Sequence, residues 1–178
     1  MKSPLTLTRL TAEDKAVEFF QDSVGHWRSE RRYYTLSKDV IQEVVSHLRI
    51  SFLEGGSSEL AALSEAHGLS RDALPHGVSI SWESEYLDNQ KRVTGSTVFG
   101  VLGNLLYRDR GFATPKPVTA HYSFPRDRTM VLRTEYSGSV FEEEVKLISS
   151  NYRTRQTIIS RAGEEQMIGQ YLERRLHS

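Results

Sequence analysis

Two arginines near the end of the chain have a spacing that could bind an acidic ligand. Residues two positions apart on a β-strand point to the same face and lie about 7 Å apart. Arg153 and Arg155 would therefore present two guanidinium groups side by side. Each group could bind one carboxylate through paired N–H bonds, or both could clamp one carboxylate jointly. An outward strand face with solvated arginines explains the pair equally well, so both interpretations stay open here.

Two further charged residues share a face with apolar neighbours, which is informative because charged groups are rarely buried without a purpose. Glu143 alternates with Phe141 and Val145 in a segment of period two, and Arg31 follows Trp27 at an even spacing. Alternation of this kind predicts that both charged side chains point inward. The sequence thus places a third arginine and one carboxylate on inward faces.

One tryptophan also lies on an apolar strand face. Trp82 follows Val78 and Ile80 at even spacing, where its indole could stack on a flat conjugated ligand. Core filling is the simpler explanation when Trp82 is taken alone.

Composition and motifs exclude several kinds of chemistry. The chain has no cysteine, which rules out disulfides, thiolate metal sites, a thiol nucleophile and covalent storage of a ligand on sulfur. Its six histidines show no paired spacing, so no metal site is predicted. No nucleophile elbow, phosphate-binding glycine loop or dinucleotide fingerprint occurs. Lys plus Arg equals Asp plus Glu at 23 each, which argues against nucleic acid as a partner.

The elements that must position these residues are mostly strands. Thr11 predicts the start of an amphipathic helix that runs to about Val24, and Ser57 or Ser58 predicts a short inserted helix that stops at Gly68. From Trp27 onward, period-two segments rich in β-branched and aromatic residues predict ten strands. They lie near 27–37, 40–53, 77–87, 91–102, 105–112, 117–124, 129–136, 139–148, 151–161 and 165–175.

Ten short, closely connected strands predict an all-β fold, an antiparallel up-and-down barrel, because closure removes exposed sheet edges. A barrel of this size encloses one ligand. An open sandwich would satisfy the same pattern. The length of 178 residues predicts one domain over 1–178.

Neither the longest apolar stretch nor the N-terminal sequence indicates a membrane segment. The longest apolar stretch, Val98–Tyr107, is about ten residues long and contains glycines, whereas about 20 apolar residues are needed to span a bilayer. The first residues, MKSPLTLTRLTAEDK, contain no apolar segment behind their positive charge, so a secretory signal is not expected. We expect a protein of the cytoplasm or the plastid stroma, without membrane insertion.

Several motifs together resemble one family. Gly25-His26-Trp27 has the G-x-W form that opens the first strand of lipocalins. The segments 151–164 (NYRTRQTIISRAGE) and 167–173 (MIGQYLE) resemble the C-terminal end of the S-type phycobiliprotein lyases, the CpcS/CpeS family. Residues 78–83 and 95–99 extend the resemblance over nearly the whole chain.

The resemblance implies a lipocalin-like barrel of ten strands and a lyase activity. Members of this family bind phycocyanobilin or a related bilin, an open-chain tetrapyrrole, and attach it through a thioether bond to a cysteine of an acceptor subunit. The acceptors are phycocyanin, allophycocyanin or phycoerythrin chains. The bilin would be the substrate, and no further cofactor is implied. A homodimer, or a heterodimer with a related lyase subunit, is left open.

Carried over by position, the resemblance assigns roles to six residues. Those with catalytic roles are Glu143, Arg153 and Arg155. Those that bind the ligand are Arg31, Trp82 and Thr157. The arginines would bind the two propionates, the indole would pack on the conjugated system, and the glutamate would hydrogen-bond to pyrrole nitrogens or assist protonation. Thr157 would place a small hydroxyl near the ligand.

The sequence departs from the family pattern in two places, at Glu30, where glutamine is common, and at the short connection between Leu102 and Arg108. These departures leave the bilin type and the acceptor open. Two alternatives also remain: a non-catalytic bilin chaperone or one subunit of a heterodimeric lyase, and, more remotely, a fatty-acid-type lipocalin carrier.

Overall fold

The computed structural model describes residues 9–177, which contain two α-helices and ten β-strands. The helices are α1 (Ala12–Ser23) and α2 (Ser58–Ala66). The strands are β1 (Gly25–Thr35), β2 (Val40–Glu54), β3 (His76–Tyr86), β4 (Arg92–Leu102), β5 (Leu105–Arg108), β6 (Val118–Arg126), β7 (Thr129–Tyr136), β8 (Ser139–Leu147), β9 (Tyr152–Arg161) and β10 (Glu164–Leu176). One turn of 3-10 helix, Leu36–Lys38, links β1 to β2.

The strands form a closed barrel. Each strand pairs antiparallel with the next one in sequence, and β1 also pairs with β10. Closure satisfies the backbone groups that an open sheet would leave at its edges. The prediction of an all-β, antiparallel up-and-down barrel is therefore confirmed, and the open sandwich is wrong.

Two predictions concern residues outside the described range. The interpretation that the first residues contain no secretory signal rests in part on residues 1–8, which lie outside the described residues. The prediction of one domain over 1–178 also stays a prediction.

Helix α1 closes one end of the barrel. Its first turn is fixed by a capping box, in which the Thr11 hydroxyl accepts from Asp14 N and the Asp14 carboxylate accepts from Thr11 N. Phe19 and Phe20 are buried and pack into the apolar cluster that surrounds Trp27. Because this cluster fills the half of the barrel next to α1, any internal space must lie in the other half. Within residues 9–177, neither helix is long and apolar enough to cross a membrane.

Helix α2 packs against the outside of the barrel, on β4. A second apolar cluster holds it there, formed by Leu53, Leu60, Leu63 and Leu74. Gly100 on β4 makes the close approach possible, because a Cβ at this position would lie 3.3 Å from methyl carbons of both Leu60 and Leu63 on α2. The helix ends just before Gly68, as predicted, and this glycine has a φ of +69° that suits it to a helix terminus.

The fifth strand is shorter than predicted, and the prediction that it runs to residue 112 is wrong. Strand β5 ends at Arg108. The next residue, Asp109, leaves the ladder because its carboxylate accepts hydrogen bonds from Thr97 Oγ1 at 2.7 Å and from Val98 N at 3.1 Å. Residues 109–117 therefore form a loop, and part of that loop lines the mouth of the barrel.

Strand β6 ends later than the predicted end at residue 124. Pro125 belongs to β6 rather than to the following turn, and a register shift between Ser123 and Arg126 accommodates it, as a β-bulge does for a residue that cannot donate to the ladder. The chain reverses after Arg126, where Arg128 adopts a φ of +63°.

Candidate functional site

The half of the barrel remote from α1 contains a cavity of about 550 Å³. Binding sites for small organic ligands have volumes of roughly 300–1,000 Å³, so the space suits one such molecule. Five of the six predicted site residues line this cavity: Arg31, Trp82, Arg153, Arg155 and Thr157. The sixth, Glu143, lies behind two of the lining arginines, as described below.

Strand register brings the predicted arginines together. On β10, Glu173 is opposite Arg153 of β9 and Tyr171 is opposite Arg155. On β1, Arg31 is opposite Tyr171. Directly opposed residues of antiparallel strands place their side chains on the same face, so all five belong to one inner surface. The alternative of an outward face with solvated arginines is wrong, since the Arg153 and Arg155 side chains are only 6% and 20% exposed.

The deepest charged pair joins Arg153 to Glu173. Nε and Nη2 of Arg153 each donate to Glu173 Oε1 at 2.8 Å, and the guanidinium lies 5.0 Å from the centre of the Trp27 ring. Burial of Glu173 opposes its ionisation, but the positive charges of Arg153, Arg155 and Arg31 outweigh burial and hold the pKa of this carboxyl below its ordinary value. Burial lowers the pKa of Arg153, yet a guanidinium stays protonated. The pair is therefore ionised.

A second buried cluster consists of Arg155, Glu143 and Arg108. Arg155 Nη2 donates to Glu143 Oε1 at 2.5 Å, and Arg108 Nη1 lies 3.6 Å from Glu143 Oε2. Burial works against the charge of Arg155, but the facing Glu143 carboxylate more than offsets it, and the pKa of Arg155 is raised. Two guanidinium groups thus share one carboxylate that is 3% exposed.

Two N–H donors of this cluster have no partner. Nε of Arg108 and Nε of Arg155 are both buried, and neither donates a hydrogen bond to any acceptor among the described residues. A buried donor without an acceptor is costly. Because both side chains line the cavity, a bound ligand could supply the missing acceptors.

Tyr171 separates the guanidinium groups of Arg31 and Arg155. Its ring centre lies 5.1 Å from Arg31 Cζ and 5.4 Å from Arg155 Cζ, distances at which a ring face attracts a cation. Burial raises the pKa of Tyr171 to about 12, so its hydroxyl is neutral and can donate. Gly169 leaves the space that this hydroxyl needs, because a Cβ there would lie 2.6 Å from the Tyr171 oxygen.

Arg108 is held between two other aromatic rings. Its Cζ lies 4.7 Å from the centre of the Phe99 ring on β4 and 5.0 Å from that of Phe112 in the 109–117 loop. Its side chain is 8% exposed, and burial lowers its pKa. The two rings fix the orientation of the guanidinium toward β8.

Trp82 and Thr157 complete the predicted set. Trp82 lies over its cross-strand neighbour Gly95, where a Cβ would meet the indole at 2.4 Å, so the absence of a side chain at Gly95 sets the position of the ring. The guanidinium of Arg110, from the loop, lies 6.0 Å from the indole. Thr157 is 3% exposed, and its hydroxyl makes no hydrogen bond of good geometry among the described residues. An indole face and a free hydroxyl both adjoin the cavity.

Sequence reasoning missed Arg108, Tyr171 and Glu173. All three alternate with inward neighbours, Arg108 with Leu106 on β5 and the other two with Gly169 on β10, so the period-two pattern contained the signal. What it lacked was the register that sets Glu173 against Arg153. Within residues 9–177, no group of three or more histidine, aspartate or glutamate side chains could hold a metal ion.

A closed barrel of ten antiparallel strands with one end sealed by a helix and an arginine-lined cavity at the other defines a small ligand-binding β-barrel protein. The chain belongs to the CpeS-like protein family, whose model matches residues 15–176. The predicted family is thereby confirmed.

Individual relatives agree with the family match. A protein of Nostoc sp. strain PCC 7120, provisionally named phycocyanobilin lyase CpcS 2, is 56% identical over 178 residues and covers 99% of both chains. A protein of Picosynechococcus sp. strain PCC 7002, provisionally named chromophore lyase CpcV, is 45% identical over 98% of this chain and 87% of the relative. The solved structure of the S-type phycobiliprotein lyase CPES from Guillardia theta superposes with a TM-score of 0.79 at 25% identity, covering 96% of this chain and 95% of that one. These relatives confirm the predicted fold and the prediction of a chromophore lyase.

Proposed function

We propose that this chain binds an open-chain tetrapyrrole without a covalent bond in its barrel cavity and attaches it to a cysteine of a phycobiliprotein subunit. The observation that carries the proposal is the charge of the cavity. Five arginines line it, Arg31, Arg108, Arg110, Arg153 and Arg155, and two buried carboxylates, Glu143 and Glu173, pair with three of them. Apart from the exposed Arg110, these side chains carry four positive and two negative charges, which is an excess of two positive charges.

A bilin matches this excess because it carries two propionates, each with one negative charge. Charge-assisted hydrogen bonds from guanidinium to carboxylate are among the strongest that a protein offers, and burial increases their strength. A fatty acid would satisfy one charge and leave the other buried without a counterion. The charge count therefore favours a dianionic ligand over the fatty-acid-type carrier.

The cavity walls suit the conjugated part of a bilin. Trp82 and Phe99 of the barrel and Phe112 of the loop present ring surfaces to the cavity, and aromatic faces bind flat conjugated groups through stacking and burial of apolar area. Basic residues and rings alternate around the space. Such a cavity can hold a curved planar ligand by its edges and its faces together.

The attachment step needs no oxidant and no nucleophile from this chain. The acceptor's thiol adds across the exocyclic ethylidene double bond of the bilin: sulfur bonds to the exocyclic carbon, and a proton goes to the adjacent ring carbon. The chain has no cysteine, so the sulfur belongs to the partner and the bilin can leave. The contribution of the barrel is then to orient the bilin and shield it from water and from addition at the wrong position.

The site residues take distinct roles in this proposal. Arg31 and Arg155 face the cavity and contact the propionates. Arg153, paired with Glu173, supports them from below. Glu143 orients Arg155 and Arg108, and a direct bond from Glu143 to pyrrole nitrogens, or a role in protonation, requires the bilin to reach past those arginines. Trp82 packs on the conjugated system, and Thr157 supplies a hydroxyl.

A reconstituted transfer reaction tests the function. The protein, phycocyanobilin and an apo-phycocyanin subunit are incubated together, the mixture is denatured, and zinc-enhanced fluorescence of the separated acceptor reports covalent attachment. We expect fluorescence that depends on the protein and disappears when the acceptor cysteine is replaced by serine. A double variant, Arg31→Gln with Arg155→Gln, should lose attachment, while Arg133→Gln on the outer face should retain it.

The same reaction separates the alternatives. Tight binding of bilin without attachment to any phycocyanin, allophycocyanin or phycoerythrin subunit would identify a chaperone or one half of a heterodimeric lyase, and adding a related lyase subunit would distinguish these two. Absence of bilin binding would refute the proposal as a whole. Sedimentation with and without the acceptor would establish whether a homodimer forms.

We also propose that the protein acts in the cytoplasm of a cyanobacterial cell, or in a plastid stroma. The cyanobacterial sources of the relatives support this location. Fractionation of the source cells, with the protein detected by antibody, would test it.

A further inference from the structure

Two arginines that line the cavity, Arg108 and Arg110, were not connected with a ligand by the sequence analysis, and of the two only Arg108 is buried. Arg108 lies on β5, and its guanidinium extends past β6 and β7 to the Glu143 carboxylate on β8. Phe99 and Phe112 hold it from both sides. A long cation clamped in this way loses little further conformational freedom when it binds an anion.

The charged groups of the cavity form two clusters rather than one. The first contains Arg31, Arg153 and Glu173, carried by β1, β9 and β10. The second contains Arg108, Arg155 and Glu143, carried by β5, β9 and β8. In the second cluster both guanidinium groups pair with Glu143, whereas in the first Arg153 pairs with Glu173 and Arg31 acts on that carboxylate from farther away. Each cluster has two arginines and one carboxylate, and so one positive charge in excess.

The clusters adjoin each other along β9, where Arg153 and Arg155 lie two residues apart, and the Tyr171 ring lies between Arg31 and Arg155. Their outer members are Arg31 on β1 and Arg108 on β5, and these two strands are separated by β2, β3 and β4 in the ring of ten strands. Two neighbouring carboxylate sites suit a flat ligand whose two acid groups are attached to adjacent parts of the molecule.

The unpartnered donors show where the second acid arm would be received. Nε of Arg108 and Nε of Arg155 are the buried guanidinium nitrogens that lack an acceptor within the described part of the chain, and both belong to the second cluster. A carboxylate has two oxygens and can accept one bond from each. Binding there would remove two unsatisfied donors and one excess charge at the same time.

We propose that Arg108, acting with Arg155, binds one of the two carboxylates of the bilin, while Arg31 faces the other. The inference rests on the proposed function, since it assigns the second acid group of the same ligand. It adds a ligand-binding residue on β5 and gives each propionate its own site. Arg108 contacts the substrate in this arrangement and does not act through another residue.

The test compares phycocyanobilin with its dimethyl ester, in which both propionates are neutral, by titration followed through visible absorbance. The variants are Arg108→Gln and Arg108→Lys, and the matched control is Arg133→Gln. Arg133 pairs with Glu142 at 3.4 Å on the outer face of the same region, as Arg108 pairs with Glu143 inside. Circular dichroism and thermal unfolding check that each variant is folded.

We expect Arg108→Gln to weaken binding of the free acid by about 10- to 100-fold, the range for a lost charge-assisted hydrogen bond. The ester should bind this variant and the wild type within about threefold of each other, since the ester has no charge for Arg108 to meet. Arg108→Lys keeps the positive charge but not the planar guanidinium that can make paired hydrogen bonds, so its loss of affinity should be smaller than that of the Gln variant. Arg133→Gln should match the wild type with both ligands.

Four results would overturn the inference. The first is an Arg108→Gln variant that binds the free acid as tightly as the wild type does. The second is an Arg108→Gln variant that loses affinity for acid and ester equally, which would give Arg108 a role only in shaping the cavity. If the Gln variant does not fold, an Arg108→Lys variant that loses the same factor for both ligands leads to that same conclusion. A wild-type protein that binds neither ligand would refute the proposed function along with the inference.

Discussion

The buried pair between Arg153 and Glu173 offers a direct test of the charge arrangement. Replacing Glu173 by glutamine keeps the size of the side chain but removes the charge, and Arg153 is left buried without a counterion. Breaking a buried ion pair on one side costs about 3–5 kcal/mol. For a domain of this size each kcal/mol corresponds to roughly 2–4 °C in Tm, so the melting temperature should fall by about 6–20 °C.

Urea unfolding at neutral pH, followed by the fluorescence of Trp27 and Trp82, measures the loss. The matched control is Glu142→Gln on β8, which removes one of the two exposed carboxylate partners of Arg133 on β7. An exposed pair contributes about 0–1 kcal/mol, so the control should unfold near the wild type. If both variants lost the same free energy of unfolding, the burial of the Arg153–Glu173 pair would not be what stabilises the barrel here.

The pH dependence gives an independent check on the same carboxyl. The pKa of Glu173 is lowered in the folded protein. Its contribution to stability is therefore present above the ordinary pKa of a glutamate and is lost as the pH falls through the folded-state value. The difference between wild type and Glu173→Gln should shrink in acid. A difference that stays constant down to the acid-unfolding region would contradict the assigned ionisation state.

A double replacement separates the structural part of this pair from its part in ligand binding. Arg153→Met with Glu173→Leu removes both charges and fills a similar volume, and exchanges of this kind are often neutral or stabilising. We expect the double variant to recover most of the stability that Glu173→Gln loses, yet to bind bilin more weakly than the wild type. Recovery of both stability and affinity would assign the pair to the fold alone.

Three further predictions concern other contacts. Gly95→Val should displace the Trp82 indole, because a Cβ would lie 2.4 Å from it, and the absorbance of bound bilin should shift; an unchanged spectrum would separate Trp82 from the ligand. Burial raises the pKa of both Tyr171 and Tyr122 to about 12, so their stabilising effect should persist below pH 10 and fade as pH rises toward 12. Ultraviolet titration of the tyrosine hydroxyls checks this, and an ordinary pKa for both Tyr171 and Tyr122 would contradict it. Thr11→Ala should cost about 0.5–2 kcal/mol through the lost helix cap, measured by urea unfolding, and no loss would mean that α1 does not need this cap.

Strand periodicity predicted most of the fold because one face of each strand is buried and the other is not. It found all ten strands, with ends that lie within a few residues of those observed except at β5. There the predicted strand included residues 109–112, Asp-Arg-Gly-Phe. The chain leaves the ladder because the Asp109 carboxylate binds Thr97 and Val98. The end of β5 is thus determined by a side-chain contact between residues distant in sequence, and a local sequence pattern does not show such contacts.

The sequence predicted which residues belong to the site better than it predicted which of them pair with each other. Alternation assigned Glu143 to an inward face and placed Arg153 and Arg155 on one common face, leaving open whether that face points inward. In the structure Glu143 and Arg153 are buried and the Arg155 side chain is 20% exposed. It could not supply the partners, because Glu173 meets Arg153 through the register of β9 with β10, and Arg108 meets Glu143 across two intervening strands. The family resemblance indicated which ligand to expect, but only the structure showed that the charged residues form two clusters.

The buried charges also predict that binding of the ligand stabilises the folded barrel. Four buried or half-buried guanidinium groups beside two buried carboxylates leave an excess of positive charge around the cavity, and two buried N–H donors have no acceptor among residues 9–177. Both features oppose the folded state when the cavity contains only solvent. A ligand with two carboxylates removes both costs, whereas its neutral ester removes neither. The free acid should therefore raise the melting temperature more than the ester does at equal occupancy, and equal shifts would mean that the excess charge plays no part in holding the ligand.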